Sequence, residues 1–450
     1  MIARDDLVGV AIISGVFAVI LIAAEVWRRT GGAKPEWSRK LVHVGGGLTA
    51  LSLPFLIRSP FVVLLLTVTL SAIFFLGGRT GLLQSVHGVE RTSRGSEYYP
   101  LAIFVVFVIS SGRTWLFICA ILVLAVADAF AALIGSRYGQ LRYEVEDEFK
   151  SVEGSLVFLV IAFLALHLPM LLMTDLAPAV TVLSALLVAM LVTGFEAISL
   201  RGTDNLFIPI AVCFVLAKIT TKPVSEIAYQ NVSFILIFAV LGLVAWKFRS
   251  FNTGGMIAIV LFTFATWSLG SRRWSLPVML ALAAFVIVRA ALAGREGDPL
   301  RVRVITHAIF VPFLVLLAAN LTGRYGFFFA PYVMGTVMVL ALVWWDGRIR
   351  LGLFPKWGDA TVAGAIGAVA ALVIGLPVWM MVADAPSFTT LRVIAVTAVL
   401  IAAVNAFLVK MHLEESSPRG WSGVSFLLAL TAASLVAILQ QAGMIEAFPR

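Results

Sequence analysis

The sequence predicts an all-α, polytopic integral membrane protein with about 16 transmembrane helices. Three observations carry that expectation. Hydrophobic residues make up 61% of the 450, and charged residues only 13%. Apolar runs such as LVGVAIISGVFAVILIAAEV (residues 7–26) reach the roughly 20 residues needed to cross a bilayer. Such runs recur along the whole chain, where only helices of this composition satisfy their own backbone in lipid. The basic residues also sort to one side when successive loops are assigned alternately.

The spans fall near 7–26, 41–57, 60–77, 98–111, 114–134, 155–173, 177–195, 205–217, 231–246, 254–269, 275–292, 304–321, 326–345, 360–383, 390–408 and 421–440. The first lacks a basic leader, since Arg4 is answered by Asp5 and Asp6, and is expected to remain as a span rather than be cleaved. The fourth and eighth are short, as tilted, broken or re-entrant segments would be. Loops 27–40, 79–97, 135–154, 196–204, 247–253, 293–303, 346–359 and 409–420 hold 22 of the 33 Lys and Arg. The other side, with both termini, holds 10, and Arg289 lies inside a span. This bias places the first set in the cytoplasm, and the expected location is the plasma membrane of a prokaryote. It also accounts for the net charge of +9 without nucleic acid as a partner. Cys119 and Cys213 lie in apolar runs and read as small hydrophobes.

The chain changes character near residue 226. Residues 1–225 carry loops dense in carboxylates, His and Gly. Residues 226–450 have short, mainly basic loops such as KFRSFNT and GREGDPLRVR, and read as an additional helical membrane domain.

Asp128 is the first candidate functional residue. A carboxylate inside a membrane helix is costly and usually faces a cavity or partner. At helical spacing Ala131, Ala132 and Gly135 share its face, which leaves room for close approach. That placement suits a metal ligand reached from the cytoplasm; a buried polar contact between helices is the plainer alternative. GSRYGQ (residues 135–140) is not a Walker A loop. Together with Lys150, Ser151, Glu153 and Gly154 at the next helix start it offers glycines for close approach, a helix N-terminus, and Arg137 and Lys150 to neutralise phosphate. The acidic run Glu144, Glu146, Asp147, Glu148 reads as a solvated loop.

WSRKLVHVGGG (residues 37–47) puts Arg39 and His43 one turn apart on one face. Arg39 and Lys40 read either as phosphate ligands or as interfacial anchors, and His43 either as a base or as a structural hydrogen-bonding residue. RTSRGSEYYP (residues 91–100) sets Glu97 before a short span. GFEAISLRGTDNLFIP (residues 194–209) sets Glu196 at one helix end and Asp204 and Asn205 at the next start, where Asp204 also reads as an N-cap. All five groups fall on the side that the basic residues independently mark as cytoplasmic.

In this order, SRKLVHVGGG, RTSRGSEYYP, DAFAALIGSRYG, KSVEGS and EAISLRGTDNLFIP resemble the dolichol kinase/phytol kinase family over about residues 20–220. That family includes CTP-dependent diacylglycerol kinases and is more distantly similar to phosphatidate cytidylyltransferases. The resemblance implies a polytopic enzyme that moves the γ-phosphate of CTP to a lipid alcohol such as phytol, geranylgeraniol or dolichol, with Mg²⁺ or another divalent cation. On the family pattern Arg39, Lys40, Asp128 and Gly135 match essential positions, and Lys150 and Glu153 match the nucleotide-side motif. Ser96 departs from it, since the family more often has Gly directly before Glu. Asp128 and Glu196 are then expected at the metal. Arg39, Lys40, Gly135, Arg137, Gly139, Gly154, Asp204 and Asn205 are expected at the nucleotide. Asp128, Lys150, Glu153, Glu97 and His43 are expected in catalysis, with His43, Glu97 or Glu196 taking the hydroxyl proton. The alternatives are a cytidylyltransferase making a CDP-lipid and a secondary transporter, although the transporter reading lacks the two similar halves it calls for. The second half, where RSFNTGGMIAIVLFTFATWSLGSRRWSLPV faintly resembles an opening segment of the phytyl-phosphate kinase family, is expected to serve as scaffold, lipid access or dimerisation surface.

Overall fold

In the computed structural model the described residues are 3–30, 35–80, 95–146, 148–200, 202–292, 299–336, 369, 430 and 433–443. They are almost entirely helical. The chain divides into two compact units, Met1–Ser233 and Phe234–Arg450.

The first unit runs through α1 (Arg4–Thr30), α2 (Pro35–Ala50), α3 (Pro60–Thr80), α4 (Gly95–Ser110) and α5 (Thr114–Tyr138). A hairpin of β1 (Arg142–Val145) and β2 (Glu148–Ser151) leads to α6 (Val152–Met173), α7 (Pro178–Ile198), α8 (Asp204–Ile219) and α9 (Val224–Phe248), within which the division falls. The amphipathic pattern of a soluble bundle is missing, because lipid takes the place of water. On α1, Val8, Ile12, Val19 and Ile22 are exposed, as a lipid-facing stripe would be. Its Phe17 and Ala24 pack inward with Val42 and Phe74. The N-terminal end of α1 is held by Asp6, which is buried and accepts the Arg58 N–H at 2.8 Å.

α5 is the central helix. Leu116, Phe117, Cys119, Ala120, Ile121 and Val123 are all fully buried, and α5 packs against α2, α4, α6 and α8. Cys119 and Cys213 are buried and free, as their apolar settings led one to expect. Midway, α5 departs from α geometry: Val123–Ala127 form a π turn that ends immediately before Asp128. Close packing fixes this stretch. A Cβ on Gly47 of α2 would stand 2.2 Å from the Ala125 Cβ and 2.5 Å from the Tyr99 hydroxyl. Gly47→Ala should therefore push α2 off the π turn and cost about 1–3 kcal/mol, as overpacking does. Thermal melting in detergent checks this, and an unchanged melting temperature would mean that α2 and α5 do not meet this closely.

Eight helices among the described residues are long and apolar enough to span a membrane: α1, Pro60–Gly78 within α3, α5, α6, α7, α9, α10 (Thr253–Gly270) and α12 (Val302–Thr322). The protein is thus an all-α membrane protein, but a count of about 16 spans finds no support. The expected span 41–57 is split, because α2 ends at Ala50 and a separate turn follows at Leu53–Leu56. α4 and α8, the two short spans, have 16 residues each. All of span 360–383 but residue 369, span 390–408, most of 421–440 and the end of 326–345 lie outside the described residues, as do Asp147 and the loop carboxylates Asp346 and Asp359.

The acidic stretch expected as a solvated loop is instead the β1–β2 hairpin, with Arg142 opposite Ser151, Tyr143 opposite Lys150 and Glu144 opposite Phe149. Tyr143 and Val145 alternate along β1 and Phe149 lies in β2; these strand-favouring residues outweigh the acidic side chains between them.

In the second unit, α10 also ends in a π turn (Thr266–Gly270), and α11 (Arg272–Leu292) and α12 follow. There Trp274 packs against Tyr325, Phe329 and Tyr332, whose hydroxyl donates to the Trp274 carbonyl at 2.8 Å.

Candidate active site

The start of α2, strand β2, the N-termini of α4, α6 and α8, and the C-terminal parts of α5 and α7 supply the predicted residues. Two lysine–carboxylate pairs organise them.

The first joins α2 to α5. Lys40 is 4% exposed, and its ammonium stands 2.6 Å from Asp128 Oδ2 and 3.4 Å from the Asp128 carbonyl. His43, one turn along α2, brings Nε2 to 2.9 Å from the Leu124 carbonyl in the π turn and 3.4 Å from Asp128 Oδ2. A carbonyl only accepts, so Nε2 carries the hydrogen. Tyr99 of α4 packs its ring 4.6 Å from the imidazole and donates its hydroxyl to the His43 carbonyl at 2.9 Å.

The second pair joins the hairpin to α7. Lys150 places its ammonium 2.8 Å from Glu196 Oε1 and 3.1 Å from Ser199 Oγ, and also donates to the Glu196 carbonyl. Burial lowers the proton affinity of Lys150, but Glu196 and then Asp204 more than offset it, and the ammonium is held above its ordinary pKa. Across the hairpin, Tyr143 shares a hydrogen bond with Ser155 Oγ at 2.8 Å.

Asp204 links the two. It is within electrostatic reach of Asp128, Lys150 and Glu196. Arg39, paired with Glu36 at 2.6 Å, is within reach of Asp128 and Asp204. Asp204 opens α8, with its Oδ1 accepting the Asn205 N–H at 3.1 Å, and the buried Asn205 amide donates to the Gly95 carbonyl at the start of α4.

The remaining predicted residues shape the scaffold around these pairs. Ser151 caps α6 by accepting the Gly154 N–H at 3.1 Å. Glu153 Oε1 accepts the N–H groups of Gln140 and Leu141, both at 3.0 Å, and so ties the chain leaving α5 to the start of α6. Gly135 and Gly154 let α5 and α6 touch: a Cβ on Gly154 would lie 3.1 Å from the Ala131 carbonyl and 3.2 Å from the Gly135 Cα. Gly139 ends α5, donating to the Gly135 carbonyl at 3.1 Å. Arg137 is exposed over the Tyr138 ring, and Glu97 is half-buried in the first turn of α4; neither enters the two pairs. Ser199, Tyr143 and the part played by Tyr99 were not foreseen from sequence. Tyr99 lies in a motif already singled out, while Ser199 follows Glu196 by three residues, a spacing that brings side chains together on a helix.

Among the described residues no three His, Cys, Asp or Glu side chains gather tightly enough to cage a metal. One or two carboxylates beside bound phosphates is, however, the donor set that Mg²⁺ prefers, since it keeps water and phosphate oxygens in its shell. Asp128, Glu196 and Asp204 fit that chemistry.

The fold and site define a class: a polytopic helical membrane protein with charged groups of both signs gathered at helix ends. The chain belongs to the phytol kinase family. It is 31% identical over 205 residues to the phytol kinase of Synechocystis sp., a match covering 45% of this chain and 88% of that protein. No family model and no solved structure matches the chain.

Proposed function

We propose that the chain is a lipid-alcohol kinase that transfers the γ-phosphate of CTP to the hydroxyl of a prenol, at a site facing the cytoplasm of a prokaryotic cell. The observation that carries this reading is a pair of lysine–carboxylate contacts, Lys40–Asp128 and Lys150–Glu196, near the start of α8 that carries Asp204. Phosphoryl transfer relies on positioning and charge neutralisation more than on covalent chemistry. Lys40, Lys150 and Arg39 supply cations for the phosphates, and helix N-termini add amide donors. Asp128, with Glu196 or Asp204, would hold a divalent cation, which neutralises phosphate charge and orients the nucleotide. The prenol enters sideways from the bilayer, leaving its tail in hydrocarbon. Glu97 and Glu196 are the candidates for taking its proton. The relative named a phytol kinase and the Lys/Arg distribution both support the reading.

The test uses full-length protein in proteoliposomes with phytol, geranylgeraniol, dolichol, diacylglycerol and phosphatidate, and with CTP or ATP. CDP and a prenyl phosphate are the expected products. Pyrophosphate release from CTP would assign a cytidylyltransferase instead, and uptake without nucleotide turnover would assign a transporter.

A further inference from the structure

We infer that His43 is a positioning residue, not the base: its Nε2–H holds the π turn of α5 in the form that presents Asp128 to Lys40. In a π turn the hydrogen-bond ladder slips from i→i+4 to i→i+5, which leaves carbonyls open to donors from outside the helix. Leu124 lies in that turn, and the donor that meets its carbonyl is His43 Nε2 at 2.9 Å. The same nitrogen stands 3.4 Å from Asp128 Oδ2, so one imidazole touches both the turn and the carboxylate that follows it. With Nε2 donating, only Nδ1 could accept a proton. The imidazole is itself fixed by the Tyr99 ring, and the backbone behind it by the Tyr99 hydroxyl. Gly47 lets the same stretch of α2 close on Ala125, in the middle of the turn. Without the His43 bond the turn loses its outside donor, and Asp128, the next residue, loses its orientation toward Lys40.

This inference uses the proposed kinase activity for one readout only. The experiment compares full-length wild type, His43→Gln and His43→Leu, measuring kcat and KM for CTP and prenol alongside hydrogen exchange of the segment 120–130. The glutamine amide can reach where Nε2 stands and donate to Leu124, whereas leucine cannot. His43→Gln should keep kcat and exchange close to wild type. His43→Leu should lose about 10–100-fold in kcat with little change in KM, as loss of a residue supporting a ligand does, and should exchange faster at 123–128. Equal inactivity of both variants with unchanged exchange would put the imidazole in the chemistry and overturn the inference. An active His43→Leu with unchanged exchange would overturn it too. If His43→Leu does not fold, Tyr99→Phe replaces it: faster exchange at 123–128 supports the inference, and wild-type exchange overturns it. Should the wild type phosphorylate no lipid alcohol, the kinase reading fails, while exchange still decides the role of His43.

Discussion

Asp128→Asn is expected to abolish phosphoryl transfer and, in addition, to destabilise the first unit. The carboxylate is the partner of a lysine that is 4% exposed, and asparagine keeps the shape while removing the charge. Breaking a buried pair from one side costs about 3–5 kcal/mol, because the other charge is left uncompensated. The Asp128 side chain is 21% exposed, so the lower part of that range applies. Adding Lys40→Met removes the stranded ammonium and should recover most of the lost stability. It should recover none of the activity, because both the cation ligand and the phosphate cation are then gone. Melting curves in detergent and labelled-phosphate transfer separate the two effects. Near-normal turnover in the single variant would take Asp128 out of the site. A double variant no more stable than the single would show that Lys40 is not what the carboxylate stabilises.

The second large effect is expected at Lys150. Its ammonium meets three acceptors at once, two from Glu196 and one from Ser199. Lys150→Met leaves Glu196 facing a thioether and removes a positioned positive charge from the phosphates. Loss of one preorganised group of this kind costs about 10²–10³ in kcat. Lys150→Arg should not rescue it, since a planar fork does not fit three acceptors arranged around a compact ammonium. Steady-state kinetics of both variants give the answer; an arginine variant within a few-fold of wild type would show that only net charge matters there.

How much of this was legible in the sequence follows from what each residue must satisfy. Asp128 was visible because a carboxylate among alanines in a membrane span needs a reason, and its pairing with Lys40 supplies one. Glu196 and Asp204 were visible as a helix end and the next helix start, which the structure retains. The partners were not legible. Lys40 and Asp128 are 88 residues apart, and nothing in either motif names the other. The π turn was hidden because a one-residue slip in a fully apolar run leaves no periodic trace: every face of α5 is buried or lipid-facing. The glycines were read as room for a ligand, and Gly135 and Gly154 are seen to serve contact between α5 and α6. The hairpin was missed because the acidic residues drew attention from the strand-favouring Tyr143, Val145 and Phe149. The expected span 41–57 was drawn across the break after Ala50 because windows of hydropathy do not see it.

The β1–β2 hairpin also bears on how the chain tolerates change in length. Lys150 is fixed from below by its pairing with Tyr143 and by Ser151 capping α6, whereas the connection between Val145 and Glu148 lies at the far end of the ladder. That end is packed rather than free: Val145 is fully buried and Glu146 is 7% exposed. Side chains alternate faces along a strand, so one residue gained or lost in either strand turns every side chain beyond it to the other face. Length changes in the hairpin are therefore expected to be tolerated poorly, since both its tip and the cation at its base are held.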